Sequence, residues 1–451
     1  MDHCHIALAP LAQWSQETGS VCLNQSKNLR THRPVRMEGQ SRPGSESWAG
    51  YHFLMSAPTP ELLVLRLWTR HRKPVVASAI GIMGIAAVVW LGFGGWRLTV
   101  QVDPFAAVDL LLRQAEVHGA FMGEGLYANY YSAVYPPASY VIMWPLLGWC
   151  EPATARWLWL VTSAFMLGWF MALLIRESPA RTLGEKVLIG LLPLCTYAAG
   201  TTLGNGQLIL HALPCLLSGI LLLTRGRVSF GRDLLGAILV VLALVKPSVA
   251  APFAWIVLFV PGRLRPISLV VGIYLLLTLV GVHAIGGGLV HVMGGWIRCG
   301  GDGALYGSEH GGVLNLHTLI TDMEWGEWAM PASIAFLALI GWWVKRHRHA
   351  DVWVLMGVCA FLARIWTYHR WYDDLMLVLA QIALLRQLVK REQGGQPTRH
   401  SPLATLLVLM VISLLAPGGR HLVPEHWLGT WENTQGVLWL FTLWHLARRA
   451  K

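Results

Sequence analysis

Residues Arg232 to Arg265 read RDLLGAILVVLALVKPSVAAPFAWIVLFVPGRLR. Two apolar runs, 232–245 and 248–260, meet at Lys246-Pro247-Ser248 and are closed at their outer ends by the basic loops Arg225 to Arg232 and Arg263-Leu264-Arg265. Each run is apolar all round rather than along one stripe, which is the pattern of a helix surrounded by lipid or protein. Short cytoplasmic loops retain Lys and Arg, so the two basic ends lie inside and Lys246-Pro247-Ser248 lies on the opposite face. A lysine at that edge is costly unless it snorkels to the interface or meets an anion.

The same alternation continues in both directions. Basic loops recur at Arg70-His71-Arg72-Lys73, Arg176 to Lys186, Lys345-Arg346-His347-Arg348, Lys390-Arg391 and Arg448-Arg449-Ala450-Lys451. The intervening loops hold Asp103 and Asp109, then Gly204-Asn205-Gly206-Gln207, then Tyr368-His369-Arg370-Trp371-Tyr372-Asp373-Asp374. A span needs roughly 20 apolar residues, fewer where helices are short or broken. Spans are expected near 75–94, 153–175, 187–203, 207–224, 232–245, 248–260, 266–286, 331–344, 352–367, 374–389, 403–416 and 434–447. The fold class is therefore an all-α polytopic membrane protein of about twelve transmembrane helices, with both termini cytoplasmic. Residues 136–150 follow Tyr135-Pro136-Pro137 and contain Pro145. A full span there would put the Arg176–Lys186 loop outside, so they read as a re-entrant or juxtamembrane helix.

Two long outer loops remain, about 95–152 and 287–330; the second is glycine-rich and carries Asp302, Glu309, His310, Asn315, His317 and Asp322. Residues 1–74 are polar and lack a hydrophobic signal core, as expected of a disordered cytoplasmic tail ahead of a membrane domain at 75–451. A start at Met55 would shorten that tail.

Composition agrees. The 451 residues are 55% hydrophobic and 13% charged, against about a quarter charged in soluble domains. The net charge of +11 sits in short loops between apolar runs, which topology and anionic lipid explain and nucleic-acid binding does not. Seven cysteines show no CxxC or metal-ligand spacing, although Cys150 and Cys299 fall on the same face, where a disulfide is chemically allowed. Many of the 23 tryptophans sit near span ends, forming the interfacial belt. No Walker, HExxH or GxSxG motif is present, and no metal or cofactor is implied.

The polar loops offer the chemistry. Asp109 stands among apolar neighbours, on a surface helix where a partly dehydrated carboxylate can act as general base toward a hydroxyl. Glu116 and Glu124 read as solvated, and Asp103, before Pro104, as a turn or helix start. In Gly204-Asn205-Gly206-Gln207 the glycines allow close backbone approach, while Asn205 and Gln207 offer neutral donors and acceptors. Lys246 needs an anion. The Tyr368–Asp374 stretch combines Arg370, which breaks the charge rule, with His369, Asp373 and aromatics suited to stacking on a sugar. Each motif has a plain alternative: a helix turn, a snorkelling lysine, an aromatic belt with a charged cap.

Taken together these motifs resemble glycosyltransferase family 87, the DUF2029 group. The carriers are Asp109 followed by Gly125-Leu126-Tyr127, then Tyr135-Pro136-Pro137, Gly206-Gln207, Ala243-Leu244-Val245-Lys246-Pro247-Ser248 and Tyr368-His369 with Tyr372-Asp373. The resemblance covers about 100–390. It implies a GT-C-like fold with outer juxtamembrane helices and an inverting, metal-independent transfer of a hexose, mannose by family. The donor would be a polyprenyl-phosphate-linked sugar and the acceptor a hydroxyl of a glycan or glycolipid, on the extracytoplasmic side of the cell (inner) membrane. By the same resemblance Asp109 is the base, and Lys246 and His369 hold the lipid phosphate. Tyr127, Tyr135, Asn205, Gln207, Tyr368, Arg370 and Asp373 are expected to complete the substrate site. Where Phe and Tyr are common in the family after that aspartate, this chain has Leu110 to Arg113. The competing expectation is a lipid-sugar flippase or other transporter, since broken helices and buried charge also mark transport sites.

Overall fold

The computed structural model describes residues 60–101, 106–130, 132–309, 314–394, 402–415 and 423–450. The expected tail lies outside these as far as residue 59, as do Asp103 and His310. Among the described residues the chain is helical, with one isolated bridge between Thr196 and Leu415 and no strand.

The first helix, α1 (Pro60–Thr99), begins ahead of the expected boundary at 75 and carries the candidate span Lys73–Thr99. Then come α2 (Val108–Met122), α3 (Leu126–Asn129) and α4 (Pro137–Leu147). At 1.5 Å per residue α4 is about half the roughly 30 Å of a bilayer core, in keeping with a helix that does not cross. The long α5 (Pro152–Glu177) is followed by α6 (Leu183–Leu194) and α7 (Tyr197–Asn205), into which the span expected at 187–203 divides. Pro193 and the N-cap Thr196, whose hydroxyl accepts from Ala199 N, make that break. A second break, a bend of 116°, separates α7 from α8 (Ile209–Thr224).

Next are α9 (Phe230–Ala243), α10 (Pro247–Phe259) and α11 (Arg265–Ile285). The expected loop 287–330 is largely helical instead: α12 (Leu289–Glu309), α13 (Leu316–Asp322) and a 3₁₀ turn at Gly326–Trp328 lead into α14 (Ala329–Arg346). The chain closes with α15 (Val352–Ile365), a 3₁₀ segment Trp371–Leu377, α16 (Val378–Gln393), α17 (Pro402–Leu414) and α18 (Leu428–Ala447). Among the described residues four stretches, in α1, α5, α11 and α14 with its preceding turn, are long and apolar enough to cross a membrane, or five if the bent α7–α8 pair is one span. Most of the expected twelve spans thus exist as helices, but several are short and meet end to end at polar breaks.

Two contacts fix the frame around those breaks. Helix α7 lies directly on α1: a Cβ at Gly94 would come within 2.5 Å of Gly200 O, and one at Gly204 within 3.4 Å of Gly94 Cα. Small residues four apart on α7, Gly200 and Gly204, let the two backbones touch, as in helix pairs packed in lipid. At the other end of the bundle the basic loops gather on acidic residues. Buried Asp233 accepts from Arg263 at 2.7 Å and Arg265 at 2.5 Å, and Arg225 pairs with Glu177.

Candidate functional site

Three helix breaks and the start of α2 converge. After α7 the chain turns through Gly206, whose φ of +72° suits glycine, and Gln207 N returns to Thr202 O at 2.9 Å. Glycine is needed here for a second reason, because a Cβ at Gly206 would stand 2.4 Å from Leu110 Cβ. That contact seats the first turn of α2, and Ala107 N donates to Gly204 O at 3.1 Å just before it. Asp109 therefore stands at a helix start pinned to the α7–α8 break. At the second break Lys246 leads into Pro247, the first residue of α10. Trp366 Nε1 donates to Ser248 O at 2.7 Å, tying α10 to the end of α15, from which the Tyr368–Asp374 loop departs.

Lys246, Gln207, Asp373 and His369 form one connected group. Lys246 Nζ donates to Asp373 Oδ1 at 2.5 Å and to Gln207 Oε1 at 3.1 Å, and lies 4.9 Å from the centre of the Tyr372 ring. His369 Nδ1 meets the other carboxylate oxygen of Asp373 at 2.8 Å. Burial alone would raise the Asp373 carboxyl, but Lys246 and His369 outweigh it and hold it down at about 2. Burial likewise opposes the charge on Lys246, and Asp373 restores it. Burial pushes the His369 imidazole below its ordinary value. An ionised Asp373 can only accept, so neutral His369 donates through Nδ1 and keeps a bare lone pair on Nε2. His369 is 1% exposed and that Nε2 has no partner.

Other expected residues stand around this group. Asp109 is half-buried and makes no hydrogen bond or ion pair among the described residues. Its charge nevertheless reaches Lys246, Arg370, Tyr135 and Tyr372. Arg370 donates through Nε to the Tyr368 hydroxyl and has no carboxylate partner among the described residues. Tyr135 lies under the Arg113 guanidinium, 4.9 Å from ring centre to carbon, and its carbonyl accepts from the Tyr127 hydroxyl at 2.8 Å. Tyr127 is thus bonded to Tyr135, which sits beside Arg113. Asn205, half-buried at the last residue of α7, is not joined to it.

One expectation is corrected. Glu116 is not solvated but 0% exposed: Arg113 lies 2.7 Å away, and the hydroxyls of Ser132 and Tyr140 donate to it at 2.7 and 3.2 Å. Burial outweighs these partners and pushes its carboxyl up to about 7. The spacing Asp109, Arg113, Glu116 puts all three on one helical face, a signal available in the sequence. Glu124 is exposed, as expected, and accepts from the Tyr130 hydroxyl at 2.7 Å. The neighbouring Asp374 belongs to a separate buried cluster, accepting from Arg364 at 2.5 Å and from the Tyr197 hydroxyl at 2.6 Å. Cys150 and Cys299 are free thiols, donating to Leu146 O and Tyr127 O, each at 3.2 Å. Among the described residues no three His, Cys, Asp or Glu side chains converge as metal ligands.

Comparison with known proteins places this arrangement. No curated protein and no solved structure matches the chain. The family model of glycosyltransferase family 87 matches residues 133–386, more than half of the sequence. The matched stretch includes Gln207, Lys246, His369, Arg370 and Asp373 and begins after Asp109 and Tyr127. The chain belongs to glycosyltransferase family 87.

Proposed function

We propose that this glycosyltransferase moves a hexose, mannose in the first instance, from a polyprenyl-phosphate carrier to an acceptor hydroxyl on a glycan or glycolipid at the extracytoplasmic face of the cell membrane. The observation that carries the reading is the meeting of an unpaired carboxylate, Asp109, with the Lys246–Asp373–His369 group and Arg370 at helix breaks. The gathering of the basic loops on Asp233 and Glu177, away from these residues in the chain, supports the assignment of sides.

In the proposed reaction Asp109 takes the proton of the acceptor hydroxyl as its oxygen bonds to the anomeric carbon. The bond from that carbon to the phosphate oxygen breaks, with inversion, and the electron pair leaves with polyprenyl phosphate. Charge that develops on the leaving phosphate needs preorganised cations. Lys246 is already matched by Asp373, so the structure favours Arg370 as the direct phosphate contact, with Lys246 holding Asp373 and His369 in place. His369 serves the phosphate by taking up a proton at Nε2, which turns its lone pair into a donor. A tail of isoprene units fits among apolar helices, and a lipid-borne donor requires no nucleotide fold.

The test is to incubate the purified protein in lipid nanodiscs with polyprenyl-phosphate-linked mannose, glucose and galactose and a membrane extract, with products read by mass spectrometry. A glycosylated product from one of these donors supports the reading, and no transfer from any of them overturns it. Equal exchange of donor across sealed vesicles without product would favour the transporter.

A further inference from the structure

The second long loop, read above as an outer connection, sends a histidine to the same place. His317 on α13 is 2% exposed. Its Nε2 lies 2.6 Å from the Ser333 hydroxyl and 3.5 Å from that of Thr367, and Ser333 in turn donates to Trp366 O at 2.8 Å. Both partners thus tie His317 to the strand of chain that runs from Trp366 through Thr367 into His369. The two imidazoles are close enough for the charge on one to disfavour charge on the other.

The bonding fixes the tautomer. Ser333 has a single hydroxyl proton and gives it to the Trp366 carbonyl, so it can only accept from His317. Nε2 of His317 therefore carries the proton. Burial, with a smaller effect from His369, brings the imidazole down to about 4, so it is neutral and its Nδ1 holds a bare lone pair. That Nδ1 is buried and has no partner. A buried acceptor without a donor is destabilising unless something fills it. His369 Nε2 is likewise buried and without a partner among the described residues. A bare lone pair on a buried neutral imidazole such as that of His317 calls for a hydroxyl donor.

We propose that His317 is a substrate-contacting residue, accepting a hydrogen bond at Nδ1 from a hydroxyl of the transferred sugar. The assignment rests on the glycosyltransferase reading above and adds a specificity contact from α13, a helix outside the motifs that suggested the site. The orphaned Nδ1, on a ring whose Nε2 is held through Ser333 to the Trp366 carbonyl, is what distinguishes it from a histidine that only fastens a loop.

Two substitutions separate these roles, because an asparagine oxygen sits near the position of Nδ1 and a glutamine nitrogen near that of Nε2. In the full-length protein in nanodiscs, His317→Gln keeps a donor to Ser333 and removes the acceptor; kcat/KM for the preferred polyprenyl-phosphate sugar should fall about tenfold or more. His317→Asn keeps the acceptor and loses the anchor, and should stay within about threefold. The opposite order, with Gln active and Asn impaired, assigns His317 to anchoring alone and overturns the proposal. If His317→Gln does not retain the wild-type Tm, His317→Asn decides by itself: near-normal turnover supports the sugar contact and a tenfold loss refutes it. A wild-type protein that transfers no sugar fails before either variant is made, and that outcome overturns the functional reading and this contact together.

Discussion

Lys246 Nζ lies 2.5 Å from Asp373 Oδ1, joining residues 127 apart in the sequence across the start of α10 and the 3₁₀ segment before α16. Both groups are buried, so each is the condition for the other's charge. Removing one partner of a buried pair leaves an uncompensated ion and costs about 3–5 kcal/mol, whereas replacing both by apolar groups can be neutral. Asp373→Asn should therefore lower Tm in detergent sharply, and Lys246→Met combined with Asp373→Leu should recover most of the loss. An undiminished Tm in Asp373→Asn would show that water reaches the lysine.

Asp109 gives the opposite expectation, since no hydrogen bond or ion pair among the described residues depends on it. Asp109→Asn should leave Tm unchanged and reduce turnover by about 10²–10⁴-fold, the usual contribution of a general base. Unimpaired sugar transfer by a folded Asp109→Asn protein would remove it from the reaction. Activity lost together with Tm would make it structural.

Glu116 predicts a pH dependence of stability with a definite sign. Burial raises its carboxyl from the ordinary 4.5 to about 7, so between those values the folded state holds a proton that the unfolded chain has released. Its stabilising contribution is complete below about 4.5 and declines as pH rises toward 7. Tm should fall across that window in the wild type and fall less in Glu116→Gln, which keeps the shape and cannot ionise. Parallel Tm profiles would rule out this titration. Asp373, held at about 2, acts in the other direction, and its contribution is lost only on acidification below 3.8.

Gly206 and Gly123 share a φ of +72° but differ in surroundings. A Cβ at Gly123 meets nothing within 4 Å, while one at Gly206 meets Leu110. Alanine at either site should cost about 1–2 kcal/mol of backbone strain. Gly206→Ala should in addition displace the first turn of α2 and slow transfer well beyond Gly123→Ala. Equal turnover in the two variants would mean that Asp109 does not rely on this contact.

Much of this was legible in the sequence, and the exceptions have physical causes. The charge alternation located nearly every apolar helix, because hydropathy sums over residues and ignores how they bend. For that reason it missed the break at Thr196 that divides α6 from α7, whereas the turn at Gly204 to Gln207 falls between two expected spans. It also missed α12, whose glycines disguise a helical face: Val292, Trp296 and Cys299 recur at helical spacing, and the last two bond to Val134 O and Tyr127 O. Lys246, His369 and Asp373 stood out as polar residues in apolar surroundings. Their mutual contacts did not, since nothing local links Lys246 to Asp373. Glu116 was misread because a carboxylate was taken to seek water, when Arg113 three residues before it supplies a partner.

The glycine contact between α1 and α7 ties the chemistry to the lipid. Only 11% of the most apolar window of the candidate span Lys73–Thr99 is buried against protein, so much of its surface is left for the bilayer. A helix in that situation answers a thinner or thicker membrane by changing its tilt. Gly94 would pass such a tilt to Gly200 and Gly204, and Gly204 O to Ala107 N, two residues before Asp109. Through those contacts a change in membrane thickness would reach the position of the carboxylate.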